Sequence, residues 1–352
     1  MREFGIETGI FKPGEINAIT DVAGVLVGQI TLIKGDTIRT GVTAILPHAG
    51  DIYQSKVPGA VYVANGYGKL MGTTQIKELG NIETPIILTN TLSVPTAADA
   101  VIEYVLSRKG NERVKSVNPV VGETNDGYLN DIRGRHVKKE HVIEAIETAA
   151  TGPVAEGCVG AGTGTMCYGY KGGIGTSSRK LPEGIGGYTV GVLVQTNHGG
   201  IFQINGIPVG IKLGRHSFRR YVQDQSEGSC MIVVATDAPL DARNLKRLAK
   251  RALLGIPRTG GYYSNGSGDY AIAFSTAETV RIPTAGSSPT LNQEVLRNNR
   301  MSPLFLAAAE AAEEAILNSL FKAERMEGID NHKAEALPLD RIKDLMEEGK
   351  QK

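Results

Sequence analysis

An unbroken apolar run, Cys230-Met231-Ile232-Val233-Val234-Ala235, stands in the second half of the chain. Three of its residues are β-branched, and it lacks the in–out alternation of a half-exposed strand, so it predicts a strand buried on both faces. Further strands are predicted at 41–46 (GVTAIL), 57–64, 85–89, 188–196 (YTVGVLVQT) and 269–276, and another ends at Leu32 after a turn that begins at Asn17. Helical spacing takes over elsewhere. Thr96 caps a helix carrying Ala97, Val101, Ile102 and Val105 that ends near Gly110. Residues 138–150 form a second helix, stopped by Gly152-Pro153. A third, over 239–255, carries the stripe Leu245, Leu248, Ala249, Ala252 and Leu253, with Arg243, Lys246, Arg247, Lys250 and Arg251 on a solvated face. Ser302-Pro303 opens a long Ala-rich helix to about Glu324, and the charged tail ends in a short helix. Asn205-Gly206, between 200–204 and 207–213, predicts a hairpin, and 215–225 is a polar connection.

These elements predict a layered α/β protein in which two mixed sheets of short strands are covered by a few helices. No repeat or linker divides it, so residues 1–352 are read as one unit.

Composition narrows the function. The 38 Lys+Arg against 37 Asp+Glu leave none of the positive excess that nucleic-acid binding uses. Three cysteines without a CxxC, and six scattered histidines, offer neither a disulfide framework nor a metal site. No metal or other cofactor is expected. No signal-peptide core or membrane span is evident, so a cytoplasmic protein is expected. Glycine is abundant at 44 residues, against a usual ~7%. The densest stretch, 157–187, includes Gly160-Ala161-Gly162-Thr163-Gly164-Thr165, which lacks the Gly-Lys-Ser/Thr ending of a phosphate loop. It reads as loops that wall a cleft.

Chemistry can sit where the buried strand begins. Gly228-Ser229 places a hydroxyl at the mouth of a rigid strand, behind a glycine carbonyl that no side chain shields. Taken alone, these residues read more simply as a turn into a core strand. Asn197, just past the 188–196 strand, can supply a carboxamide N–H to an oxyanion. Ser267 and Asp269, two apart at a strand entrance, face one side and can form a hydroxyl–carboxylate relay. Glu123, in the acid- and amide-rich stretch 121–131, can bind an ammonium group. His198 is a possible base, although no GxSxG surrounds Ser229. A serine without a histidine can instead use its own α-amine, of pKa ~7.7–8.0, once the preceding bond is cut.

Taken in order, these stretches resemble the DmpA-type family of self-processing serine aminopeptidases, which includes β-peptidyl aminopeptidases. The resemblance runs from Asn17-Ala18-Ile19-Thr20-Asp21 through Gly122-Glu123-Thr124-Asn125-Asp126-Gly127, Val194-Gln195-Thr196-Asn197, Gly228-Ser229 and Gly266-Ser267-Gly268-Asp269 to Glu335-Ala336-Leu337-Pro338-Leu339-Asp340. It implies an αββα sandwich of the Ntn-hydrolase-like type, cut between Gly228 and Ser229 into chains 1–228 and 229–352. Ser229 would then be an N-terminal nucleophile that releases N-terminal residues from small peptides, amides or esters. The same resemblance gives Asn197 the oxyanion role, Ser267 the assisting role and Glu123 the substrate ammonium. Asp269 stands where some members have glutamate. Tyr128 is the nearest candidate for the family's cleft tyrosine. A homo-oligomer, a tetramer by this resemblance, is expected. Two other readings are an Ntn-type acyltransferase resembling ornithine acetyltransferases and an uncleaved ligand-binding protein. Serine in place of their threonine counts against the former.

Overall fold

The computed structural model describes residues 1–218, 228–286 and 288–350. Part of the polar connection, 219–225, lies outside the described residues. The frame is made of nine longer strands: β1 (Leu26–Lys34), β2 (Ile38–Leu46), β3 (Ser55–Gly66), β4 (Ile86–Asn90), β5 (Val120–Thr124), β6 (Ile174–Lys180), β7 (Thr189–Asn197), β8 (Gly228–Thr236) and β9 (Ser267–Ser275). Four helices cover them: α1 (Val94–Ser107), α2 (Lys139–Glu147), α3 (Ala242–Ala252) and α4 (Met301–Phe321).

One sheet runs β1-β2-β4-β5, with the short strand Leu70–Met71 at its edge. The other runs β6-β7-β8-β9-β3, with short strands added beside β3. Pairing is antiparallel except for β4 with β5 and β8 with β9. Both sheets are therefore mixed.

The buried run lies in β8, all of whose residues are buried. Its side chains alternate between two cores. Met231, Val233 and Ala235 pack between the sheets with Ile45, Ile86, Leu88 and Val120. Cys230, Ile232 and Val234 face the layer holding Leu245, Leu248, Ala311 and Ala315 of α3 and α4. On the far side, Ala97, Val101, Val142 and Ala145 of α1 and α2 cover Val42, Ala44, Ile87 and Val121. The order of layers is αββα, as the family resemblance implies.

An ionic cluster ties the N-terminal segment to α4. Arg179, fully buried on β6, donates from Nη2 to Glu314 Oε2 at 2.7 Å. Arg2 grips the same carboxylate through two bonds, at 2.7 and 2.8 Å, and Asn17 Nδ2 adds a third donor residue at 2.7 Å. Asp21 accepts from the Ile16 and Ala18 N–H groups and the Ser178 hydroxyl. The Asn17-Ala18-Ile19-Thr20-Asp21 stretch thus has a structural account, since a buried charge requires this density of partners.

Three local expectations change. The Asn205-Gly206 hairpin shrinks to one bridge, Ile204 with Ile207. Pro208 has no N–H for a ladder, and the chain turns instead into the short helix Val209–Lys212. β6 was not expected within the glycine-dense segment. α2 and α3 lie a few residues inside the ranges expected and α4 ends early, whereas α1 starts at Val94, so Thr96 lies inside the helix and does not cap it.

Candidate active site

The second sheet brings three strand ends to one place. β8 and β9 are parallel and both begin there, whereas antiparallel β7 ends there. The register sets Ser229 between Asn197 on one side and Gly268 on the other. Residues that are remote in the chain thus become lateral neighbours.

Ser229 is 7% exposed, and its Oγ accepts the Gly268 N–H at 3.2 Å. A Cβ on Gly228 would stand 2.7 Å from His198 Cα and 2.9 Å from the Asn197 carbonyl oxygen. Glycine is therefore required there by close packing as well as by access to its carbonyl. The Asn197 amide is fixed at both ends. Its Oδ1 accepts the Met166 N–H at 3.0 Å, and its Nδ2 donates to the Asn125 carbonyl at 2.9 Å. One Nδ2 hydrogen is left over, because a carboxamide carries two donors.

Ser267 and Asp269 open β9, and both are buried. Asn65 Nδ2 staples the turn ahead of them, donating to the carbonyls of Ser264 at 3.0 Å and Ser267 at 2.5 Å. Among the described residues, neither carboxylate oxygen of Asp269 has a hydrogen-bond partner. Burial pushes this carboxyl up to about 6; the nearby Ser267 hydroxyl and Cys230 N–H hold it down only in part. Unfolded, the group would titrate near 3.9. The folded state therefore binds more protons between these values, and stability falls as pH rises through about 4 to 6, the full penalty persisting above. That penalty is on the order of 3 kcal/mol. In the uncut chain, held so by Ser229→Ala, Asp269→Asn should accordingly melt higher than its Asp269 parent at pH ~8, by an amount that shrinks toward pH ~4. A lower melting point at the higher pH would show that the carboxylate is usefully paired.

Glu123, on β5, enters from the other sheet. Its Oε1 accepts the Lys69 N–H at 2.9 Å and its Oε2 accepts the Thr91 hydroxyl. The Lys69 ammonium lies 3.9 Å away on a half-exposed side chain. Gly68 separates this carboxylate from β9: a Cβ there would be 3.0 Å from Glu123 Oε1 and 3.3 Å from Gly268 Cα. The Glu123 carboxyl group thus sits one glycine away from the residue paired with Ser229.

Residues 17–334 match peptidase family S58. The chain belongs to this family. It is 42% identical over 348 residues to the β-peptidyl aminopeptidase BapA of Sphingosinicella microcystinivorans, covering 93% of this chain and 87% of that one. The PH0078 protein from Pyrococcus horikoshii OT3 superposes with a TM-score of 0.91 at 49% identity over 99% of both chains. The L-aminopeptidase D-Ala-esterase/amidase of Ochrobactrum anthropi, described as a prototype for the serine aminopeptidases and a variant of the Ntn hydrolase fold, gives 0.89 at 37% identity, covering 99% of this chain and 98% of its own. This S58 peptidase is accordingly a hydrolase of the serine aminopeptidase type, with an Ntn-hydrolase-like αββα fold.

Two of the sequence candidates commit their side chains to other contacts in this S58 peptidase. His198 turns its ring away from the cleft, to a 3.1 Å contact with the Tyr168 hydroxyl, and burial drops its pKa to about 4. It is a neutral packing histidine. Tyr128 is 46% exposed and stacks on His332, with ring centroids 4.4 Å apart, so it is not among the groups gathered at the strand ends. The Gly160–Gly162 turn uses its N–H groups on Thr31 and Thr43, which removes the donors that a phosphate cradle would need. Among the described residues, no three His, Cys, Asp or Glu side chains gather as metal ligands. Asn65, Thr91 and Lys69 escaped the sequence reading. Asn65-Gly66 is a turn dipeptide by composition, and the pairing of β3 with β9 brings that asparagine to the site.

Proposed function

We propose that this S58 peptidase cuts its own chain between Gly228 and Ser229 and then uses Ser229 as an N-terminal nucleophile. The observation that carries the reading is the seat of Ser229, at the head of a buried strand, between Asn197 and Gly268, with the neighbouring His198 ring engaged by the Tyr168 hydroxyl and not by Ser229. In the first reaction the Ser229 hydroxyl oxygen attacks the Gly228 carbonyl carbon. The C–N bond breaks, the amine takes up the hydroxyl proton, and an ester remains. Water then cleaves the ester, leaving a Gly228 carboxylate and a free Ser229 with both hydroxyl and α-amine.

In turnover, the α-amine receives the proton of the hydroxyl as Ser229 attacks a substrate carbonyl, and it passes that proton to the departing amine or alcohol. Water, giving a proton to the same amine, then cleaves the acyl-enzyme ester, which releases the acid and returns the proton to the Ser229 hydroxyl. The spare Asn197 N–H stabilises the oxyanion. Ser267 and Asp269 sit beside the amine and favour its protonated form through their oxygen atoms. Glu123 pairs with the ammonium of the substrate's N-terminal residue. The substrates are small peptides, amides or esters with a free amino terminus. The proposal includes a homo-oligomer, a tetramer by the family resemblance, acting in the cytoplasm. N-terminal sequencing of the purified protein tests the cut. It should give a second sequence beginning Ser-Cys-Met-Ile, and an active preparation without that sequence would overturn the reading.

Glu123→Gln tests the ammonium site. Losing a charge-assisted bond of roughly 1.5–3 kcal/mol should raise KM by about ten- to a hundredfold for a free aminoacyl amide. A smaller change in kcat is expected, as checked by initial rates. An unchanged KM would remove Glu123 from the site.

A further inference from the structure

The Asn197 amide is only as well placed as the Asn125 carbonyl that holds it, and that carbonyl sits on a loop. The loop turns at once into a helical turn, in which the Leu129 and Asn130 N–H groups both bond to the Asp126 carbonyl, at 3.2 and 3.0 Å. Asn130 also donates to the Asp126 carboxylate at 3.0 Å, and Asp131 is pinned through its N–H to the Thr37 carbonyl at 2.8 Å. The remaining face of the turn is covered by a piece of chain some two hundred residues away, the hairpin of Met326–Glu327 with Lys333–Ala334.

The covering is close. The Ile329 N–H bonds to the Leu129 carbonyl at 2.9 Å, and a Cβ on Gly328 would come within 2.0 Å of that same oxygen. Asp330 and Asn331 both take left-handed backbone angles, φ 55° and 57°, which fold the hairpin tip back. His332 Nδ1 then donates to the Tyr128 carbonyl at 2.8 Å, and its ring lies parallel to the Tyr128 ring, 6° between planes. Arg39 Nε fixes the hairpin from behind by bonding to the Glu327 carbonyl at 2.7 Å, while the Arg39 N–H bonds to Asn130 Oδ1 at 3.0 Å. Every contact leads back to the segment that carries Asn125.

We propose that the Tyr128–His332 stack and its hairpin are a clamp that holds the Asn125 carbonyl, and through it the Asn197 amide, and that Tyr128 is a positioning residue outside the substrate pocket. The inference rests on Asn197 being the oxyanion donor. With the cut at Gly228, the clamp also joins the two fragments, since Tyr128 belongs to one and His332 to the other.

The test uses the processed enzyme and an aminoacyl p-nitroanilide that the wild type hydrolyses. Misplacing the amide should lower kcat by roughly ten- to a hundredfold in Tyr128→Ala and in His332→Ala, with KM nearly unchanged. Tyr128→Phe keeps the stacked ring and should retain wild-type kcat. Adding Tyr128→Ala to Asn197→Ala should cost nothing further, because the clamp acts only through that amide. If Tyr128→Ala fails to fold, His332→Ala, which leaves Tyr128 in place, carries the same comparison. A rise in KM at constant kcat would put Tyr128 in the substrate pocket and overturn the proposal. Unchanged kcat in both single variants would overturn it too, as would a further loss in the Asn197→Ala background. Full kcat in Asn197→Ala alone would instead refute the oxyanion reading beneath it.

Discussion

Ser229→Ala is expected to stay a single chain of 352 residues and to show no turnover. The wild type should show two bands on denaturing electrophoresis, ending at Gly228 and beginning at Ser229. The substitution removes one oxygen from a buried position whose polar contact among the described residues is with the Gly268 N–H. Fold loss is therefore a poor explanation for an inactive variant: leaving that donor unmatched costs about 1–3 kcal/mol, while the apolar faces of β8 are untouched. What disappears is the atom that attacks, first at Gly228 and then at the substrate. Circular dichroism should give a wild-type spectrum and a slightly lower melting point. A Ser229→Ala protein that still appears as two chains would place the cut, or its cause, elsewhere.

Asn197→Ala should lower kcat by about a hundred- to a thousandfold, the usual worth of an oxyanion donor at roughly 3–4 kcal/mol. KM should move little, because the amide acts on charge that develops only in the transition state. A second effect is expected on the same variant. The Met166 N–H and the Asn125 carbonyl both lose their partner, so the melting point should fall as well. Comparing kcat well below the melting transition separates the two. If kcat is retained while stability drops, the amide is a loop fastener with no part in the reaction.

Much of this was legible in the sequence, for reasons that differ by element. β8 could be read because a continuous β-branched run needs no knowledge of its neighbours. Asn197 and Ser229 could be read because strand ends are marked by where apolar runs stop and start. β6 was hidden because its sequence, IGTSSRK, is largely polar, yet nearly all of it is buried. Its polarity is matched by partners that the sequence does not announce: Ser177 donates to the Ala311 carbonyl and Arg179 to Glu314, both on α4. His198 was drawn toward the site by its adjacency to Asn197, although consecutive residues at a strand end point to opposite sides. Lys69 and Thr91 were illegible because they reach Glu123 only through the packing of one segment on another.

The order of strands in the second sheet has a consequence for the life history of the molecule. β8 and β9 would belong to the fragment that begins at Ser229, whereas β7 on one side and β3 on the other belong to the fragment that ends at Gly228. Each piece is threaded into the other along two full hydrogen-bonded seams, Val190–Asn197 against Ser229–Thr236 and Gly59–Gly66 against Gly268–Phe274. The covalent link that guided this interleaving would be spent as soon as it had done so. Folding would be unimolecular before the cut, and refolding bimolecular after it, so recovery from denaturation should depend on protein concentration. The active enzyme would then persist through the slowness of its unzipping, because the instructions for assembling it again no longer reside in one chain.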